Sequence, residues 1–577
     1  MERLSSFEYI FLTTIVCSMS AVYIGPLENA YNAYRKGDME GDKLSAWDKA
    51  NLDDTPNLLR MHEHGQLTRA EVLRYHSKLQ GTWRPGDPEN VRLGLMNMNG
   101  GNQQKTFRQL TCGPYTPQKL ENLRLLSEHA TMHTLDLTEN NVGVPAIHAI
   151  VHITSLKTLI LDNNSNVGDE GARTLAGSTT LVDVELVNCG IGAEGAAALA
   201  ENTSLKSLNL ELNFLENEGA VKLSNNRSFE NLILANCEIG NEGAHALAHN
   251  NTTLRNLNLR GNMITFMTFP ANSSITILNL SDNSIGAAAA AVLASCTSLK
   301  TLILDNNNVG DEGARAFAFA NGTTLKSLSL GRNNITDTGV EDLAQNRTIQ
   351  TLNLSGNDTI TTIGAETLFQ NSTLINLYLS NTQVFAYPSV VKKMLVSLAE
   401  NTSLRTVDLS GNLIDPYYGV RKLGKNKTLT TLVLRFDNLH DEDATYLANI
   451  STLTSLDLSG NNVGFTPQFG AALAAHESLK ELKLQSQQIS FEFLLELTKS
   501  NTIETLDMSN CFITDGAARI IARNKHFKTL YLSENKITDA GATALIENKR
   551  LKYVNLEFNE ISEDVKMLLE DRFPLQN

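Results

Sequence analysis

The 577-residue chain is poor in aromatic residues, at 6%, and holds only two tryptophans, so aliphatic side chains must supply most of any core. It lacks a basic excess: 48 Lys and Arg stand against 63 Asp and Glu, a formal charge of −15. Surfaces that track phosphates concentrate Lys and Arg, which excludes nucleic-acid binding as the principal function class and favours a protein partner with a basic patch. The six cysteines (Cys17, Cys112, Cys189, Cys237, Cys296 and Cys511) form no close pair and no CxxC, so neither a disulfide module nor a thiolate metal clamp is indicated, and a reducing compartment is the simpler setting. The charge-free run Tyr9 to Ile24 is also short for a membrane span. As a helix it would reach ~24 Å, against a hydrocarbon core of roughly 30 Å. It suits a packed helix, a membrane contact or a signal; Ser18-Met-Ser20 gives a passable cleavage pattern, but Arg3 is balanced by Glu2 and Glu8.

What the chain has in abundance is repetition. "SLKTLILDNNSNVGDEGARTLA" from Ser155 returns almost unchanged from Ser298 as "SLKTLILDNNNVGDEGARAFA". A chain this long is either several domains or an array whose units bury one another, and repetition selects the array. Leu156, Leu159, Leu161 and Asn164 set the register L-x-x-L-x-L-x-x-N/C. It closes at Asn140, Asn164, Cys189, Asn213, Cys237, Asn262, Asn283, Asn307, Asn333, Asn357, Thr382, Asn412, Asp437, Asn461, Gln487, Cys511, Asn535 and Asn559, mostly 24 or 25 residues apart. The L-x-L residues share one face of a short strand that only neighbouring units can seal. The closing Asn sits at a bend, where a buried amide satisfies free backbone groups, and a Cys there is a structural thiol. Segments such as "NVGDEGARTLAGS" then open with acidic residues (Asp169-Glu170, Asp337) suited to a helix N-terminus, and carry Ala and Leu at i, i+3 and i+4. Asn-x-Ser/Thr triplets, as at Asn202, Asn371 and Asn401, recur at one place in the unit and read as polar turns before the next strand rather than as glycosylation sites.

This register is the leucine-rich-repeat pattern. The "GAxxLAxNxxL" half resembles the ribonuclease-inhibitor-like class, shared by cytosolic immune receptors and by secreted effectors of intracellular bacteria, over about residues 120–577. The short unit leans towards the effectors. The resemblance implies an α/β solenoid, or horseshoe, of about eighteen strand-helix units, with a parallel sheet on the concave side and helices on the convex side. It also implies a protein-binding surface with no intrinsic reaction, no cofactor and no metal. The expected organisation is a hydrophobic segment at 1–27, a small mainly helical region at 28–115, an N-terminal cap at 116–130, repeats at 131–560, and a C-terminal capping helix and tail at 561–577. In that last helix Ser562 is the expected cap, and Val565, Leu568, Leu569 and Phe573 the sealing face; its acidic residues resemble bacterial export signals. A monomer acting in the cytoplasm is expected, the host cytosol if the chain is an effector. The alternative is a leucine-rich-repeat scaffold or sensor, either cytosolic or anchored at a membrane through residues 1–27.

No stretch makes a convincing reaction centre. "GVRKLGKN" (419–426) imitates a phosphate loop but has Asn426 where a magnesium-binding hydroxyl belongs. His62, His64 and His76 lack zincin spacing. Cys112 has no activating constellation and reads as structural, which makes an N-terminal enzyme the weakest reading. Two units break the spacing, those closing at Asn283 and Asn412; the second enlarges a loop and helix around Tyr387-Pro388 and Lys392-Lys393.

The residues flanking each buried strand Leu face outward, so the binding face can be read directly. The early units offer Asp136, Glu139, Asp162, Asp183, Glu185 and Glu211 beside Ile160, Val187, Leu212 and Ile233. The middle units are bland (Asn256, Asn258, Asn279, Ser327, Ser329, Asn353, Ser355). The late units offer Tyr378, Phe436, Tyr531, Tyr553 and Phe558. Acid around an apolar strip steers and holds a basic partner, and aromatics dominate interface hot spots.

Overall fold

The computed structural model describes residues 133–573 apart from 271–272, 321, 415–419, 440 and 462, with the side chains of 441–443 also left aside. The hydrophobic segment at 1–27, the 28–115 region with Cys112 and its histidines, and the cap expected at 116–130 lie outside these residues.

Among the described residues, eighteen three-residue strands form one parallel sheet in which each strand pairs with its sequence neighbours. The register joins equivalent positions: Leu135 pairs with Leu159, Leu159 with Val184, and Val184 with Leu208. In the strand Asp183–Glu185 the central Val184 is buried and its flanks are half-buried, a pattern most strands repeat. On the other side lie helices such as Gly168–Ala176, which buries Ala172 and Leu175 on one stripe, and Asp539–Glu547, which buries Ala542 and Leu545. The fold is a leucine-rich-repeat solenoid of alternating strands and helices.

Three side-chain ladders stitch the units together. The first is the predicted one. Asn164 Nδ2 donates to the carbonyls of Leu137 (2.9 Å) and Leu161 (2.7 Å), while its Oδ1 accepts from the Val142 N–H at 2.7 Å. Cys189 takes the same place, with its thiol directed to Leu161 O at 3.1 Å; burial pushes that thiol up to about 12, as it does for Cys237 and Cys511.

The second ladder adds to the reading of the Asn-x-Ser/Thr triplets as polar turns, which do stand just before each strand. Asn202 is buried; its Nδ2 donates to Ala176 O (2.9 Å) and Ser178 O (2.7 Å), and its Oδ1 accepts from the N–H groups of Ser204 and Leu205, both at 2.8 Å. The Ser204 hydroxyl donates to Ser178 O as well. Asn226, Asn371, Asn401 and Asn426 repeat this arrangement. The triplet is thus a packing device in which the Asn bridges two units and the hydroxyl gives a second donor to one of the carbonyls that the Asn holds.

The third ladder refines the acidic helix openings. Asp169 Oδ1 accepts from the N–H groups of Gly192 (2.7 Å) and Gly195 (2.9 Å), at the start of the next unit's helix. Asp311, Asp337 and Asp515 serve the following helix in the same way. Each carboxylate therefore caps its neighbour's free N–H groups as well as opposing a dipole. A side chain at Gly195 would meet Asp169 Oδ1 at 2.5 Å, which explains the glycine in "EGA".

The irregular units have local causes. Between the strands Asn256–Asn258 and Ile277–Asn279 the described residues contain no helix, and Met267 is buried there in place of a helical stripe. The long unit puts its extra residues into the thirteen-residue helix Pro388–Glu400, whose Lys393 pairs with Glu366 at 2.7 Å. The phosphate-loop imitation resolves, over Val420–Lys425, into a 3-10 helix ending at the ladder residue Asn426. In the C-terminal helix Glu563–Arg572, Ser562 occupies the cap position without a side-chain cap bond. The expected sealing face holds only in part: Phe573 is buried, Val565 and Leu569 are half-buried, and Leu568 is exposed. The helix lies with Leu568 turned outward beside the exposed Met567. Among the described residues no helix is long and apolar enough to cross a membrane.

Candidate protein-binding face

Strand pairing fixes which outward side chains meet. Asp136 is the last residue of the first strand, Asp183 and Glu185 flank the third, and Asp162 and Glu211 follow the second and fourth by two residues. The structure brings these carboxylates into one field. Asp162 is pushed up to about 6, by burial first and then by the charges of Glu185, Asp136 and Glu211, although the Val187 N–H donates to its Oδ1 at 2.9 Å. Glu139 is exposed at the edge of this field. The middle strands are not wholly bland: Asp305, also raised by burial, accepts from the Ser329 hydroxyl and the Gly331 N–H.

The late aromatics do not form one patch. Tyr531 and Tyr553 pack with ring centroids 5.6 Å apart, on the last two strands, and Phe558 follows Tyr553 in the same unit. Tyr378 lies six strands before Tyr531, on the order of 30 Å away at the usual strand spacing. Phe436 follows the strand Thr431–Val433 and stands apart from both.

A backbone rule decides where Phe436 and Phe558 point. In every unit the residue before the ladder position has φ between 52° and 73°, from Glu139 through Leu212, Arg332 and Phe436 to Phe558, with glycine at 261, 356, 411 and 460. This left-handed conformation suits Gly and Asn; a bulky residue there costs about 1–2 kcal/mol. Phe436 and Phe558 bear that strain while 61% and 73% exposed, so they gain little burial in return.

Sequence reasoning missed a further row. The residue just after the ladder position is polar in most units, yet Phe214, Met263, Leu413 and Phe512 occupy it and are all more than half exposed. The signal was available as large apolar side chains at a polar position of a periodic pattern. Leu413 and Phe436 lie at the bends of consecutive units, both exposed, while Lys536 Nζ lies 5.6 Å from the centroid of the Phe512 ring.

Comparison with known proteins bears on the fold. Two leucine-rich-repeat family models match, one over residues 312–384 and the other in eight stretches: 152–176, 177–200, 201–224, 225–248, 271–294, 295–318, 449–464 and 523–545. No curated protein sequence matches. Among solved structures, a TLR13 complex with the single-stranded RNA ssRNA13 is 20% identical with a TM-score of 0.55, covering 78% of this chain and 61% of its own. The chain therefore spans about three-fifths of that protein's length. The mouse RP105/MD-1 complex is 20% identical with a TM-score of 0.44 (77% of this chain, 82% of that one), and an internalin of Listeria monocytogenes is 18% identical with a TM-score of 0.34 (63% and 89%). At these identities the likeness concerns the fold alone. With the repeat models matching where the strands, bends and ladders recur, the chain is a leucine-rich-repeat protein.

Proposed function

We propose that this is a non-catalytic protein-binding module that holds a basic partner on its strand-lined face, with the early carboxylates as the docking field and the strained late aromatics as anchors. The observation that carries the reading is Asp162. A half-buried acid among three like charges costs the fold stability, and a cationic partner would relieve that repulsion on binding. The finer reading is a bacterial effector that engages a host protein in the host cytosol; it draws on the short repeat and on the acidic C-terminal helix. The membrane-held scaffold rests on residues 1–27 alone.

The test uses the full chain and a variant carrying Asp183→Lys, Glu185→Lys and Glu211→Lys, each exposed to immobilised lysine-rich peptides and to cell lysate. The parent should retain basic ligands with a steep salt dependence, and the variant should lose them at least tenfold. Equal retention by both chains would remove the early face from the reading.

A further inference from the structure

Asp437 stands where the ladder asparagine stands in most units, and it is fully buried. Much of it behaves as that asparagine does: its N–H donates to Asn461 Oδ1 at 3.0 Å, and its Oδ1 accepts from the Asn412 N–H at 2.7 Å. The atom that differs is Oδ2. In the units on either side this place is an amide nitrogen that donates: Asn412 Nδ2 to Leu379 O (2.8 Å) and Leu409 O (2.6 Å), Asn461 Nδ2 to Leu434 O (2.6 Å) and Leu458 O (2.8 Å). The repeat register therefore sets Asp437 Oδ2 toward the carbonyls of Leu409 and Leu434, and among the described residues no donor reaches it.

An oxygen turned toward carbonyl oxygens in a dry interior is repelled unless it carries a hydrogen to donate. No charge nearby resolves the conflict. Asp408 of the preceding unit faces Asp437 with more negative charge. Arg435, two residues before it, is committed to Asp457 of the next unit at 2.6 Å, and among the described residues no cation pairs with Asp437.

We propose that Asp437 is held as a neutral carboxylic acid whose Oδ2 hydroxyl donates to Leu409 O or Leu434 O, a proton-dependent latch within a ladder otherwise built mainly of amides and thiols. Burial, with Asp408 adding to it, pushes this carboxyl up to about 8, in keeping with the geometry. An acid whose folded pKa is raised stabilises least where it must ionise: the penalty is absent below about pH 4, grows as pH rises to about 8, and is constant above. The latch closes the turns that carry Leu413 and Phe436, so loss of the proton would loosen that exposed apolar pair. This inference goes beyond the binding reading and stands without any partner.

The experiment compares the full chain with Asp437→Asn. The infrared difference between the two at pH 6 should show a carboxylic-acid carbonyl band in the parent that disappears above about pH 9. Hydrogen exchange, corrected for its intrinsic pH dependence, should show amides of 409–439 losing protection in the parent by up to about tenfold per pH unit through the transition, and not in the variant. Absence of the band at pH 6, or the same loss of protection in both chains, would overturn the proposal. So would failure of Asp437→Asn to fold, since an amide supplies the donor that the latch requires.

Discussion

The ring of Phe436 lies across Gly460, so that a side-chain carbon at position 460 would collide with the ring edge. Both residues hold the left-handed position before the ladder, in consecutive units, with φ of 55° and 69°. Glycine in one unit thus seats the side chain of the unit before it, and Arg332 lies over Gly356 in the same way.

Gly460→Ala should therefore act twice. It adds about 1 kcal/mol of left-handed strain and displaces the Phe436 ring from its seat. Denaturant unfolding should show a loss of about 1–2 kcal/mol. Phe436→Asn, which relieves strain at an exposed position, should leave stability equal or slightly higher while weakening any ligand that uses the late face. A large loss of stability in Phe436→Asn would mean that the ring supports the fold rather than offering itself to a partner.

Much of this was legible in sequence because a solenoid writes its core periodically. Leu135, Leu159 and their successors can be read as buried from spacing alone, and so can the strand order. The second and third ladders were harder. Asn202 and Asp169 were read within their own units, as turn and helix opening, whereas their partners (Ser178, Ala176, Gly192 and Gly195) lie 23 to 26 residues away in adjacent units. The rim row was missed because Phe214 and Leu413 lie outside the strand triplet, where side-chain direction depends on φ and not on strand alternation. The acidic field was legible as residues, but its crowding required three dimensions.

The second ladder predicts how the chain will behave in a secretory lumen. Oligosaccharide transfer to Asn202, Asn371 or Asn401 would remove a donor hydrogen from Nδ2 and place a sugar where the side chain is buried to within 3% to 8% exposure. Fused to a eukaryotic secretion signal, the chain should be glycosylated while nascent and should fail to fold, and blocking glycan transfer should restore a protease-resistant product. A folded, secreted chain with sugar on any of these three asparagines would contradict the ladder. In the unmodified protein, Asn371→Ala should cost about 2–4 kcal/mol, since it leaves two buried N–H groups without their acceptor and takes one donor from each of the carbonyls of Ala344 and Asn346.

Asp162 predicts a pH dependence of stability with a definite sign. Its folded pKa of about 6 lies above the ordinary carboxylate value, so the folded state binds the proton more tightly than the unfolded chain. Stability is then highest at acid pH as far as this group is concerned, and it declines as pH rises from about 4 to 6. Asp162→Asn keeps an acceptor for the Val187 N–H and removes the charge. Because the side chain is partly exposed, the full pKa shift overstates its worth, and a gain of about 1–2 kcal/mol at neutral pH is expected. The gap in melting temperature between the variant and the parent should widen from pH 4 to 6 and then stay level. A gap that does not vary with pH would mean that neither burial nor the neighbouring carboxylates raise Asp162.

The ladder cysteines yield a kinetic prediction. Cys189, Cys237 and Cys511 are buried, their thiols directed to the carbonyls of Leu161, Leu210 and Leu484 at 2.9 to 3.1 Å. With each thiol pushed up to about 12, almost none is thiolate at pH 8, and the thiolate is the reactive form. Alkylation of the folded chain at these three positions should therefore proceed only through opening of the solenoid, at a rate that tracks local stability. Cys189→Ala should cost about 1–2 kcal/mol, for the lost contact with Leu161 O and a small void. It should also speed alkylation of Cys237, two units away, if the two open together. Unchanged labelling of Cys237 in that variant would show that neighbouring units open one at a time, which would set the cooperative length of the array below three units.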